Sequence, residues 1–187
     1  MDDAFELSRA KQEDRPAGPE RHSAWIALGS NISPERFLPE AVRELRSLGT
    51  VFKTSSVWQS APVGDIHQAD FCNAAVLMMT SYSPVQLKME LRIIEARLGR
   101  QRDPLNKNAA RTIDLDVVLY DDCVLKTAEI VIPDPELTAR PFLATPLAEL
   151  TPDLPHPEMG ETLEAIARRI GGTDSLQQRL DIVLTHP

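Results

Sequence analysis

The chain has 187 residues, 42% of them hydrophobic, and carries a formal net charge of −8. That length and composition suit a soluble globular domain with a real core. The acidic balance argues against a nucleic-acid or membrane binder, which needs a dominant basic surface, but leaves room for a local basic site for a small anion. Two cysteines, Cys72 and Cys123, with no CxxC spacing, give neither a zinc signature nor a disulfide framework and fit a reducing cytoplasm.

Residues 1–22 are polar, mixed in charge and rich in Pro and Gly near their end. They contain no apolar run long enough for a signal peptide or a membrane span, and read as a flexible extension ahead of one domain over residues 23–187. "AWIALGS" predicts a short buried strand ending at Gly29. In "SPERFLPEAVRELRSLG", Ser33 can cap a helix, Pro34 suits its first position and Gly49 can stop it. Phe37, Leu38, Ala41, Val42, Leu45 and Leu48 form its apolar stripe. "VFKTSSVWQS" predicts a strand, "APVGDIHQAD" a loop and "FCNAAVLMMT" another strand. Ser83-Pro84 opens a second helix, with Leu87, Leu91, Ile94 and Leu98 on one face and Gly99 at its end. A polar loop leads to the strand "RTIDLDVVLY".

The order strand, helix, strand, strand, helix, strand predicts an α+β fold, a ferredoxin-like βαββαβ two-layer sandwich. Beyond it, "CVLK" and "EIVIP" predict a short strand pair, and "ARPFLATPLAEL" and "ETLEAIARRI" predict helices. These form a C-terminal strand/helix extension that wraps the core.

Side chains on a strand alternate faces, so Ile113, Leu115, Val117 and Leu119 share one face and Asp114, Asp116, Val118 and Tyr120 the other. The two carboxylates then lie about 7 Å apart between their Cα atoms. Two ionised carboxylates that close need a balancing cation, or one of them stays protonated. Magnesium meets that need, because it binds through one or two carboxylates plus substrate phosphates. A strand end with two solvated aspartates is the simpler alternative.

The preceding loop, "GRQRDPLNKNAAR", sets Arg100, Arg102, Lys107 and Arg111 against the single acid Asp103. This local reversal of sign suits a nucleotide polyphosphate held beside a carboxylate-bound metal. The chain has no GxxxxGK[ST] phosphate loop, and "ALGSN" is too short to be one. Phe71 and Asn73 share a strand face, where a ring and an amide could hold a flat heterocycle. The residues alone leave three readings open: a diphosphoryl transferase, a kinase of a small alcohol that makes ADP, and a ligand-binding module without chemistry.

"RTIDLDVVLY" resembles the signature of the 6-hydroxymethyl-7,8-dihydropterin pyrophosphokinase family of folate biosynthesis. "IALGSN", "SSVWQSAPVG", "DFCNAAV", "IEARLGRQR" and "ARPFLATPLAEL" resemble other segments of that family, in the same order, over residues 24 to 158. The resemblance implies transfer of the terminal diphosphate of ATP, the co-substrate, to the pterin hydroxymethyl group, with AMP as the second product. It implies two Mg2+ ions on Asp114 and Asp116, and a catalytic set of Arg100, Arg111 and Asp116. ATP would meet Glu95, Arg100, Arg102, Arg111 and Arg140. The pterin would meet Ser60, Ala61, Val63, Phe71, Asn73 and Phe142. A cytoplasmic monomer with small-molecule substrates, and no nucleic acid or membrane partner, is the implied setting. This sequence departs from the family pattern at "NKNAAR", where Gly-Pro often precedes the Arg, at Ala61, where Pro is usual, and at Asp134, where His is common.

Overall fold

The computed structural model describes residues 20–62, 68–102 and 109–184. β1 (His22–Ser30) is an interior strand of its sheet, in the buried position that its run of small and apolar residues favours. Then follow α1 (Pro34–Leu45), β2 (Thr50–Thr54), β3 (Trp58–Ser60), β4 (Phe71–Thr80), α2 (Pro84–Arg97) and β5 (Asp114–Tyr120). Strand order is β5-β1-β4-β3-β8, with β2 also paired to β4, where β8 (Gln177–Gln178) is a short C-terminal strand. Every pairing within this six-stranded sheet is antiparallel. The short pair β6 (Leu125–Lys126) and β7 (Val131–Ile132) is separate, as the sequence suggests.

Both helices start at Ser-Pro, but only one is capped by its serine. Ser83 and Gln86 form a reciprocal capping box at the start of α2. Ser33 sits in the left-handed region with φ 47° and makes no side-chain cap, so the expected cap is absent there. Leu38, Ala41, Val42 and Leu45 of α1 and Leu87, Leu91 and Ile94 of α2 pack against Ile26, Leu28, Cys72, Ala74, Leu115 and Val117 on one face of the sheet.

The opposite face is covered too, which corrects the two-layer expectation. α3 (Pro141–Leu150) and α4 (Leu163–Ile170) bury Leu143, Leu147, Leu150, Leu163 and Ile166 against Trp25, Ala75, Val118 and Leu119. The C-terminal extension is thus a third layer. The reason lies in β4, where "CNAAV" is buried without a break, so both of its faces need a cover. Polar anchors fix α3: Trp25 donates to Thr151 Oγ1 (2.9 Å), Trp58 donates to Glu149 Oε1 (2.7 Å) and Lys53 to the Leu150 carbonyl (3.0 Å).

Two further local corrections bear on the site. "VFKTSSVWQS" is two strands, because Ser55 takes the Ala75 N–H on its side chain (2.8 Å) between β2 and β3. In β5 the register slips opposite Trp25 and Ile26, which pair with Leu119 and Val117 and skip Val118. Such a bulge inverts the alternation beyond it. Leu119 therefore packs with Trp25 under α3, and Tyr120 returns to the α1–α2 face, while Asp114 and Asp116 keep the face that the alternation assigns.

Candidate active site

A cavity of about 330 Å³ opens beside the ends of β5, β1, β4 and β3, on the side of the sheet that carries α3. Strand alternation fills its floor. Asp114 and Asp116 project from β5, Ala27 and Gly29 from β1, and Phe71 and Asn73 from β4. Gly29 lies between the two outer pairs: a Cβ there would stand 3.4 Å from Asn73 Oδ1 and 3.9 Å from Asp114 Cβ, so its absence keeps the floor low. Arg140, Phe142 and Leu143 descend from the start of α3, and Ser60 and Ala61 from the end of β3.

One wall is charged. Asp114 pairs with both Arg100 and Arg111, and Asp116 pairs with Lys88 of α2. Glu95, with a side chain only 1% exposed, pairs with Arg100 and Arg102 and accepts the Leu115 N–H at 2.9 Å. Burial opposes ionisation of Asp114, but the Arg100 and Arg111 guanidiniums outweigh it and hold the carboxyl below its ordinary range. Burial pushes the Glu95 carboxyl up, against the pull of the Leu115 N–H and Arg100. Asp134, at the rim, is also pushed up by burial; the Glu136 N–H opposes this and the Asp116 charge adds to it.

The other wall suits a flat ring with polar edges. Asn73 is buried and donates to Ser60 Oγ at 3.0 Å, so its amide orientation is fixed. Phe71 sits beside it, and the Arg111 guanidinium lies 5.7 Å from the Phe71 ring centroid. Arg111 thereby spans the two walls. Asn31 holds this bridge: its Oδ1 accepts the Arg111 N–H at 2.7 Å, while its amide donates to Gln68 (2.9 Å) and to the Ala69 carbonyl (3.2 Å).

This geometry agrees with what sequence comparison finds. The sequence model of the family described as "7,8-dihydro-6-hydroxymethylpterin-pyrophosphokinase (HPPK)" matches residues 25–152. The chain belongs to this family. An HPPK relative from Synechocystis, named 2-amino-4-hydroxy-6-hydroxymethyldihydropteridine pyrophosphokinase, is 36% identical over 154 residues, covering 81% of this chain and 78% of its own length. The Bacillus subtilis protein of the same name is 40% identical over 130 residues, covering 68% of this chain and 77% of its own length. Among solved structures, wild-type Plasmodium falciparum HPPK-DHPS with SDX-DHP overlays with a TM-score of 0.62 at 12% identity, over 82% of this chain and 45% of that one. At that identity the overlay speaks for the fold alone.

Of the residues expected at an HPPK site, Asp114, Asp116, Arg111, Arg140, Ser60, Ala61, Phe71, Asn73 and Phe142 line one cavity. Arg100 and Glu95 stand behind its charged wall, with Arg102 reaching Glu95 from outside. Val63 and Lys107 lie outside the described residues. Three participants were missed from the sequence: Lys88, Asn31 and Glu136. A signal existed for Lys88, which lies two helical turns before Glu95 and so shares its face. Asn31 closes "ALGSN", a segment too short to be a phosphate loop, and nothing local to it points to Arg111.

Proposed function

We propose that this chain transfers the terminal diphosphate of ATP to the hydroxymethyl group of 6-hydroxymethyl-7,8-dihydropterin, giving AMP and the pterin diphosphate. The observation that carries this reading is one cavity with two unlike walls: a carboxylate pair among arginines, and a ring-and-amide wall at Phe71 and Asn73. A phosphate chain needs the first and a flat, polar-edged heterocycle the second.

In the reaction, the pterin hydroxyl oxygen attacks the β-phosphorus, the bond from that phosphorus to the α,β-bridging oxygen breaks, AMP departs with the bridging oxygen, and the hydroxyl proton passes to water. The two carboxylates fit magnesium, whose remaining positions are commonly water and substrate phosphate; among the described residues no third His, Cys, Asp or Glu joins them. When bound, magnesium would neutralise phosphate charge at Asp114 and Asp116. Arg111 at the cavity, and Arg100 from behind Asp114, supply positive charge toward the transferred group. Asn73, with Ser60 fixing its amide, reads the pterin edge, and Phe71 and Phe142 give the ring its apolar faces. Arg102 and Arg140 bind outer ATP groups. Glu95 holds the arginines in place, so much of the catalysis is positioning.

The strand order, with α1 and α2 on one face, supports a ferredoxin-like βαββαβ core in which β2 and β3 are halves of one strand. We read residues 23–187 as one catalytic domain, acting as a cytoplasmic monomer. No helix among the described residues is long and apolar enough to cross a membrane. The test is turnover of ATP with the dihydropterin and magnesium by Asp114→Ala and Asp116→Ala. Loss of turnover in both is expected while each variant stays folded, with Asp116→Ala melting near the parent and Asp114→Ala lower, because it removes the carboxylate that Arg100 and Arg111 share; parent-like rates in either would overturn the assignment.

A further inference from the structure

β5 is the edge strand of the sheet, so the outward N–H and C=O of Leu115 have no strand partner. Both are taken by side chains of α2. Glu95 Oε1 accepts the Leu115 N–H at 2.9 Å, and Lys88 Nζ donates to the Leu115 carbonyl at 3.2 Å. Leu115 is the residue between Asp114 and Asp116. The two α2 side chains therefore clamp the stretch of backbone that aims both carboxylates into the cavity.

Lys88 does more than clamp. The same ammonium pairs with Asp116 Oδ1, and its side chain is only 13% exposed against 45% for Asp116. Asp114 is neutralised by two arginines; the Asp116 pairing belongs to Lys88. The lysine sits on the carboxylate that a divalent cation would use and carries a charge that repels it.

We propose that Lys88 is a resident counter-cation that sets the divalent-cation threshold of the site. It rests on the reading of Asp114 and Asp116 as metal ligands. A cation approaching without nucleotide must displace the ammonium from Asp116 or bind beside it. A cation arriving with the phosphates of ATP brings negative charge that accommodates both. Lys88 thus favours the metal–nucleotide pair over the bare ion. It is a positioning residue, and its backbone bond to Leu115 keeps it docked while its grip on Asp116 loosens.

The sign of the effect separates this role from a merely structural one. Loss of a structural clamp would loosen β5 and weaken metal binding. Loss of a competing cation strengthens it. The experiment is Mn2+ titration of the nucleotide-free protein, followed by electron paramagnetic resonance, in the parent, Lys88→Met, Lys88→Arg and Asp116→Asn. Lys88→Met is expected to bind Mn2+ about tenfold more tightly, the scale of one partly exposed charge pair. Lys88→Arg, which keeps the charge, is expected to stay near the parent. Equal or weaker binding by Lys88→Met, with Asp116→Asn still weakened, would overturn the counter-cation role and leave the metal reading standing. Unchanged binding by Asp116→Asn would overturn the metal reading itself.

Discussion

Glu95 makes the sharpest structural prediction. Its carboxylate is almost fully buried and holds three partners: Arg100, Arg102 and the Leu115 N–H. Glu95→Ala removes one member of a buried ion pair, which typically costs about 3–5 kcal/mol. Arg100, 9% exposed, keeps Asp114 as a partner, and Arg102, 56% exposed, turns to water, so the lower end applies. The Leu115 N–H loses its acceptor, which adds about 1 kcal/mol. The sum is about 4 kcal/mol. At about 2–4 °C per kcal/mol for a chain of this size, the melting temperature should fall by roughly 10 °C. Glu95→Gln retains an Oε1 acceptor for Leu115 and should recover about 1 kcal/mol of this loss. Thermal melting of both variants in the same buffer, with calorimetry for the enthalpy, measures it. An alanine variant that melts within about 2 °C of the parent would refute the claim that this carboxylate organises the charged wall.

Asn73→Ala removes the amide that Ser60 orients, and should raise KM for the dihydropterin at least about tenfold with little change in KM for ATP, as read from steady-state kinetics. His156 is buried, and burial lowers its pKa from the ordinary 6.5. The unfolded chain then binds the proton first, so this part of the stability is present above pH 6.5 and lost as pH falls through the lowered folded value. Denaturant melts from pH 7.5 to 5 should show the decline, and His156→Gln should flatten it. Asn31→Ala removes the side-chain acceptor of the Arg111 N–H and the amide bonds to Gln68 and Ala69 together, and should lower kcat more than stability, measured by turnover beside thermal melting.

Much of the site was legible because strand alternation is a local rule. Period two placed Asp114 with Asp116 and Phe71 with Asn73, and the structure sets both pairs on the floor of one cavity. The inversion at Val118 was not legible, because a bulge depends on the facing strand as well as on its own residues. The third layer was hidden for a similar reason. "ARPFLATPLAEL" predicts a helix, and α3 is one, with Pro141 in its first turn and Pro146 buried inside it; what its local pattern does not show is that it covers the second face of the sheet. The shared helix face with Glu95 is the one local signal for Lys88; its meaning comes from β5, an edge that only the folded sheet defines. Family likeness separated diphosphoryl from γ-phosphoryl transfer, a distinction that charge and spacing alone leave open.

The most direct test is the identity of the nucleotide product. Purified protein is mixed with ATP, magnesium and 6-hydroxymethyl-7,8-dihydropterin, and the nucleotides are resolved by ion-exchange chromatography. AMP formed one-for-one with the pterin diphosphate is the predicted result; ADP, or no pterin-dependent loss of ATP, would contradict it.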